Sequence, residues 1–413
     1  MAKEVASYRH DLGNGLYLDA FAVDPNLTEG DLREFVVSRE TGGVDLEEVG
    51  KNIRMIEPPE GNRLWTLGEL NFGAEDRRYQ IPEQLRAYRE ALAIRQDING
   101  NFNGPISVIE GRPGRDIRFI EGGFYDWKGT QVADSPTDLL ENLLGTPVES
   151  LVGEARFRHA RGQEDRFGPR YDTSVIDRFR ARTLAEFLKS KGCSEETIER
   201  FSGKTIGDLL DDEEFARAFD IEAGQVRALK EKYPAGKTLG NIMAEYGLKD
   251  EERARYFGFA HFIFPENGEK LQLVHRAKKM IVAPDCISSA GSTPRFSKDF
   301  FKPGFNFQQY YEEHIAQEMN EEFKLEKGEF GIKGFYFSHL INTGILNPAF
   351  EITSPLTTKE MVDRIHGDEE AVSEHPVVYG MPVEAVPVLL KRFDVLPDIA
   401  FILNRLYKDT KAA

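Results

Sequence analysis

The chain has 413 residues, more than the roughly 250–300 that one hydrophobic core usually serves, so more than one domain is expected. Apolar residues make up 40% and aromatics 11%, which excludes wholesale disorder. Lys and Arg number 53 against 70 Asp and Glu, a net charge of -17, so the average surface repels phosphate backbones and anionic lipid, and nucleic acid is a poor partner.

No apolar run reaches the ~18 residues of a membrane span, and the first residues lack the apolar stretch of a secretory signal. Two cysteines, Cys193 and Cys286, supply neither a disulfide framework nor a cysteine-rich zinc site. A cytoplasmic protein that does not enter membranes is expected.

Residues 1–135 read as a strand-rich domain around one helix. Gly13-Asn14-Gly15 separates two short apolar stretches and signals a hairpin, Ile106–Ile109 alternates as a strand, and residues 82–92 carry Leu85, Tyr88 and Leu92 on one helical face. Gly111–Arg115 reads as the turn of a hairpin rather than an anion nest.

Residues 136–256 read as a block of short helices, such as the one opening at Ser194. Arginines cluster between Arg156 and Arg182, a basic stretch in an acidic chain that suits docking onto the chain's own acidic surface, with a nucleotide or an acidic partner as the alternatives. Gly203-Lys204-Thr205 and Gly236-Lys237-Thr238 end like phosphate loops, but Ile198 and Glu231 stand where the first glycine is required.

Strands return in residues 257–413. Phe257–Phe264 and Lys270–Arg276 flank the turn Pro265–Gly268; a helix from about Phe307 to Lys324, a strand Phe330–Leu340 and a helical region Val383–Lys408 follow. The whole reads as an α+β multidomain chain.

The chemistry concentrates on the helix after Phe307. Glu318 lies three and four positions before Glu321 and Glu322, which predicts convergence of the three carboxylates, while Ile315, Met319 and Phe323 form an apolar stripe. Such a cluster reads either as a solvated acidic face or as a site for a hard cation, Mg2+, Mn2+ or Ca2+. His314, one turn before Glu318, reads as a partly exposed helix histidine, with a ligand or proton-carrying role as the alternative. Arg276 and Lys278 at a strand end either hold phosphates or solvate a turn. Neither cysteine has a triad-like partner spacing, and Ser288–Gly291 lacks the G-x-S-x-G elbow, so nucleophilic hydrolase chemistry finds no support.

The segment Gln317–Leu325, QEMNEEFKL, resembles the second half of the Nudix box, G-x5-E-x7-R-E-U-x-E-E-x-G-U. Glu318, Met319, Glu321, Glu322 and Leu325 match it; Gln309, Gln317 and Lys324 stand where the family has Glu, Arg and Gly. The order around it also agrees: strand Leu271–Arg276, the glycine-containing stretch Ile287–Ser292, the helix, the strand after Gly331 and a further helix start at Pro355–Met361. Gly291 and Gly304 offer two alignments of the box glycine. The resemblance implies a Nudix-like α/β/α sandwich over residues 257–413, with Glu318, Glu321 and Glu322 as catalytic groups and ligands of Mg2+ (or Mn2+), and Arg276, Lys278 and Gly291 at the substrate. It implies a hydrolase of a nucleoside diphosphate linked to another moiety. The alternative is a catalytically weak module that binds a nucleotide or a protein as a sensor or scaffold, with the helical block as its interaction surface.

Overall fold

A computed structural model describes residues 4–82, 105–110, 114–124, 126–127, 194–200, 254–277, 285–341 and 344–412. The expected helix at 82–92, most of the helical block, the basic stretch and Lys278 lie outside the described residues.

Strands β1 (Ser7–Gly13) and β2 (Leu16–Ala22) form the expected hairpin. Its turn puts Gly13, Asn14 and Gly15 all at positive φ, the conformation that Asn and Gly tolerate best. Helices α1 (Glu29–Val37) and α2 (Leu46–Gly50) follow, where sequence reading expected only the helix at 82–92. The overlooked signal is local: Thr28 and Asp31 form a reciprocal capping box, and Leu32 and Val36, one turn apart, are the buried residues.

Next come β3 (Ile53–Ile56), β4 (Asn71–Arg78), β5 (Pro105–Glu110), β6 (Asp116–Gly123) and the short helix α3 (Glu195–Arg200). After them β7 (Arg255–Phe257), β8 (Phe259–Phe264), β9 (Lys270–His275), β10 (Ile287–Ser288) and β11 (Ala290–Ser292) lead to the long helix α4 (Phe307–Phe323). The chain closes with β12 (Gly331–Leu340), β13 (Ile345–Thr353), α5 (Thr358–Ile365), α6 (Glu369–Glu374), β14 (Val377–Pro382), α7 (Val386–Arg392) and α8 (Pro397–Ala412). The β8–β9 hairpin, α4, β12 and the C-terminal helices stand where the residue patterns put them.

Among the described residues the strands join one mixed sheet, ordered β1-β2-β14-β9-β8-β13-β7-β5-β6-β4, with β12 bridging β13 and β3. Strands before residue 60 and after residue 257 therefore pair within the same sheet: Asp19–Ala22 of β2 lies beside β14, and Met55 opposite Ser338. Strand β13 runs parallel to β7 and β8 and antiparallel to β12.

Successive strand residues point to opposite faces, and both faces are covered. Phe259, Ile263, Val274, Phe350 and Ile352 pack with α4 and α5, while Phe262, Leu271, Leu273 and Tyr379 pack with α1, α7 and α8. Every residue of β8 is consequently buried. On α4 the predicted stripe holds: Ile315, Met319 and Phe323 are each 0% exposed, and each such burial stabilises by about 1.5–3 kcal/mol.

Helix α4 begins at Asn306, whose side chain accepts from the Gln309 amide at 3.1 Å. It ends with Lys324 in the left-handed region (φ 54, ψ 37); the Lys324 N–H donates to the Asn320 carbonyl, the 5→1 bond of a left-handed cap, and that of Leu325 donates to Met319. The Nudix pattern has glycine at this position, and the backbone requires what glycine adopts without strain. Lys324 adds an exposed ion pair, Nζ lying 3.1 Å from Asp368. Comparing Lys324→Gly with Lys324→Ala isolates the backbone effect, since both lose the pair. Glycine should be the more stable by about 1 kcal/mol in urea denaturation; equal midpoints would mean that the cap is not held left-handed.

Candidate functional site

Helix α4 turns about 100° per residue, so Glu318 and Glu322, four apart, share one flank, and Glu321 is rotated off it. Glu322 is 8% exposed against the sheet, whereas Glu321 stays exposed and accepts from the Gln317 amide at 2.6 Å. The expected convergence of all three carboxylates is thus corrected: Glu318 and Glu322 turn inward, and Gln317 holds Glu321 outward.

The third inner carboxylate comes from elsewhere in the chain. Glu374 ends α6, and its carbonyl accepts from the Ala277 amide at 2.9 Å, which ties α6 to the end of β9. His375 follows, its amide donating to the Ala371 carbonyl at 2.7 Å, and β14 starts two residues later. One ligand atom from each of Glu322, Glu374 and His375 lies within 4.8 Å of the others, and His375 Nε2 is 3.9 Å from Glu322 Oε1. Sequence reading missed Glu374 and His375, because nothing in a chain pattern links them to a helix some fifty residues earlier.

Burial, and then the charges of Glu322, Glu321 and Glu374, push the Glu318 carboxyl up to about 8. Burial followed by the Glu322 charge likewise raises Glu374. His314 is not the partly exposed histidine expected: its side chain is 13% exposed, Nε2 lies 2.9 Å from Ser292 Oγ, and Nδ1 is 3.7 Å from Glu318. Burial first, and then the Arg295 charge, lowers its pKa to about 4, so its ring is neutral at pH 7. Nearby His261 is fully buried and held neutral for the same first reason.

The donor set fits a divalent cation. Glu322 Oε2 and both ring nitrogens of His375 are buried without a hydrogen-bond partner, while like charges converge on the same point. Buried polar atoms are ordinarily satisfied, and a cation would supply what these three lack.

Arg276 follows β9, its amide donating to Cys286 and its carbonyl accepting from Asp285, both at 3.0 Å. Its charge lowers the pKa of Glu374, and that of Arg295, which sequence reading did not single out, lowers Glu318. The glycine-containing stretch Ile287–Ser292 forms β10 and β11, in which Gly291 pairs with Ala260. A Cβ at Gly291 would sit 2.7 Å from the Phe259 carbonyl oxygen, so the glycine permits close strand approach.

No protein-family profile matches the sequence, and no curated protein matches it. Solved structures similar to parts of the chain include DR0079 from Deinococcus radiodurans, with TM-score 0.27, 15% identity, and coverage of 37% of this chain and 82% of that one. A mutT/nudix family protein from Listeria innocua gives 0.24 and 13%, covering 38% and 94%. NrtR from Shewanella oneidensis, in complex with a 27mer DNA, gives 0.25 and 9%, covering 38% and 62%. Similarity this low carries no statement about function.

The raised Glu318 pKa makes stability depend on pH. Folded protein keeps a proton that an unfolded glutamate releases near its ordinary 4.5, so stability should fall as pH rises from about 4.5 to about 8. In chelator-treated protein, Glu318→Gln should flatten that part of the profile and stabilise at pH 8 by on the order of a few kcal/mol. Parallel profiles for the two proteins would refute the buried, protonated state of Glu318.

Proposed function

We propose that the chain is a Nudix-type, divalent-cation-dependent hydrolase of a nucleoside diphosphate linked to another moiety. One observation supports this reading above the rest: Glu322, matching a box glutamate, meets Glu374 and His375 at a buried point where Glu322 Oε2 lacks a hydrogen-bond partner, and Glu318, one turn earlier, lies within reach of both carboxylate charges.

Glu322 and Glu374 would hold Mg2+ or Mn2+, which when bound neutralises charge developing on a diphosphate and lowers the pKa of water. Glu318, whose carboxyl titrates near neutral pH, accepts the proton of the attacking water. His314, hydrogen-bonded to Ser292, stands beside Glu318, Nδ1 3.7 Å from its carboxylate, and helps to bury it. Glu321 assists through its charge, which keeps Glu318 basic. Arg276 and Arg295 act on these carboxylates electrostatically, and Arg276 with Lys278 would supply the cations that draw a diphosphate to the site, while Gly291 serves strand pairing rather than the substrate.

The bond from Gln317 to Glu321 favours a second reading, a module that binds a nucleotide without turning it over, because an amide lacks the charge with which the family's arginine organises the glutamates.

The test is turnover of a panel of nucleotide sugars, dinucleotides and ADP-ribose with Mg2+ and with Mn2+. Activity should need the cation and fall at least ~100-fold in Glu318→Gln, with the circular dichroism spectrum unchanged. Binding without turnover would give the case to the second reading; the absence of both would overturn the proposal.

A further inference from the structure

The cation site lies beside a nitrogen donor that the Nudix resemblance does not include. His375 is 3% exposed, and both its ring nitrogens are buried without a hydrogen-bond partner. A neutral imidazole carries one donor and one acceptor nitrogen, and in a protein interior each is ordinarily satisfied. Here Nε2 instead faces a carboxylate oxygen, Glu322 Oε1, at 3.9 Å. Two donors held by one ion at about 2.1 Å each stand at most about 4.2 Å apart, so this pair is already within the span that a shared ion allows.

The ring is also held in place. The His375 amide donates to Ala371, the carbonyl of the next residue, Pro376, accepts from Val23 and Asp24, and Val377 is paired with Ala22 on one side and His275 on the other. A donor on such a base returns to the same position without ordering a loop.

We propose that His375 is a nitrogen ligand of the cation bound by Glu322 and Glu374, and that the centre therefore selects Mn2+ over Mg2+. The inference rests on the cation site of the preceding section and names the ion that site prefers. Imidazole suits borderline transition ions, whereas Mg2+ takes oxygen donors and gives up its water reluctantly, so one nitrogen among carboxylates separates the two ions.

The experiment uses the full chain, freed of metal by chelation and titrated with Mn2+ alone and Mg2+ alone by calorimetry, with pulsed electron paramagnetic resonance on the Mn2+ form. Mn2+ should bind at least about tenfold more tightly than Mg2+, and its spectrum should carry the 14N coupling of a directly bound imidazole. His375→Asp, which leaves an all-oxygen set, should remove the coupling and bring the two affinities to within roughly threefold, while His314→Gln should retain both coupling and preference. A wild-type spectrum without nitrogen coupling, or coupling that disappears with His314 rather than His375, would overturn the proposal, even if His375→Asp failed to fold. Nitrogen-ligated Mn2+ without turnover of any nucleotide would leave this inference standing and remove the hydrolase reading; Mg2+-supported turnover without nitrogen coupling would do the reverse.

Discussion

The candidate site depends on the packing of α4 against the sheet. Ile315, Met319 and Phe323 are driven into the core by the area they remove from water, and the same rotation carries Glu318 and Glu322 onto the inner side of the helix. Glu318 is thereby drawn out of water beside Glu322 and Glu374, an arrangement that raises the proton affinity of Glu318 and of Glu374 and suits a cation. The apolar stripe thus supplies the free energy that holds the acidic cluster together.

The rest of the architecture brings the partners of that helix to it. Strand β9 lies between β8 and β14, so the residues just beyond one end of β9 and those just before β14 are neighbours. The Ala277 amide reaches the Glu374 carbonyl, and Arg276 and Glu374 come within electrostatic range. On the other side β11 runs along β8 and presents Ser292 to His314. Three segments far apart in sequence therefore converge through backbone pairing, which tolerates much side-chain variation because its hydrogen bonds are made by the main chain.

Departures from the Nudix pattern have local physical accounts. Lys324 takes the left-handed cap where glycine would be unstrained, and its ammonium pairs with Asp368. Gln317 cannot act as a guanidinium, and its amide engages the outward Glu321 instead. His375, outside the pattern, places an imidazole beside Glu322. The changes at Gln317 and His375 each bear on one glutamate, Glu321 and Glu322, whereas Lys324 acts on the helix end.

The β1–β2 and β8–β9 hairpins, the span of α4 and the buried Ile315, Met319 and Phe323 were legible from the residues alone, because turn chemistry and helical periodicity act over a few positions. The capping box that opens α1 was equally local and was overlooked. By itself the sequence determined that Glu318 and Glu322 share a helix flank, since that follows from four-residue spacing. Which flank meets the sheet, that Glu321 stays outside, that His314 is buried on Ser292, and that Glu374 and His375 complete the cluster were decided only by tertiary structure. The physical reason is that the burial and the meeting of ionisable groups depend on strand pairings between distant segments, and no periodicity within a segment encodes its neighbours.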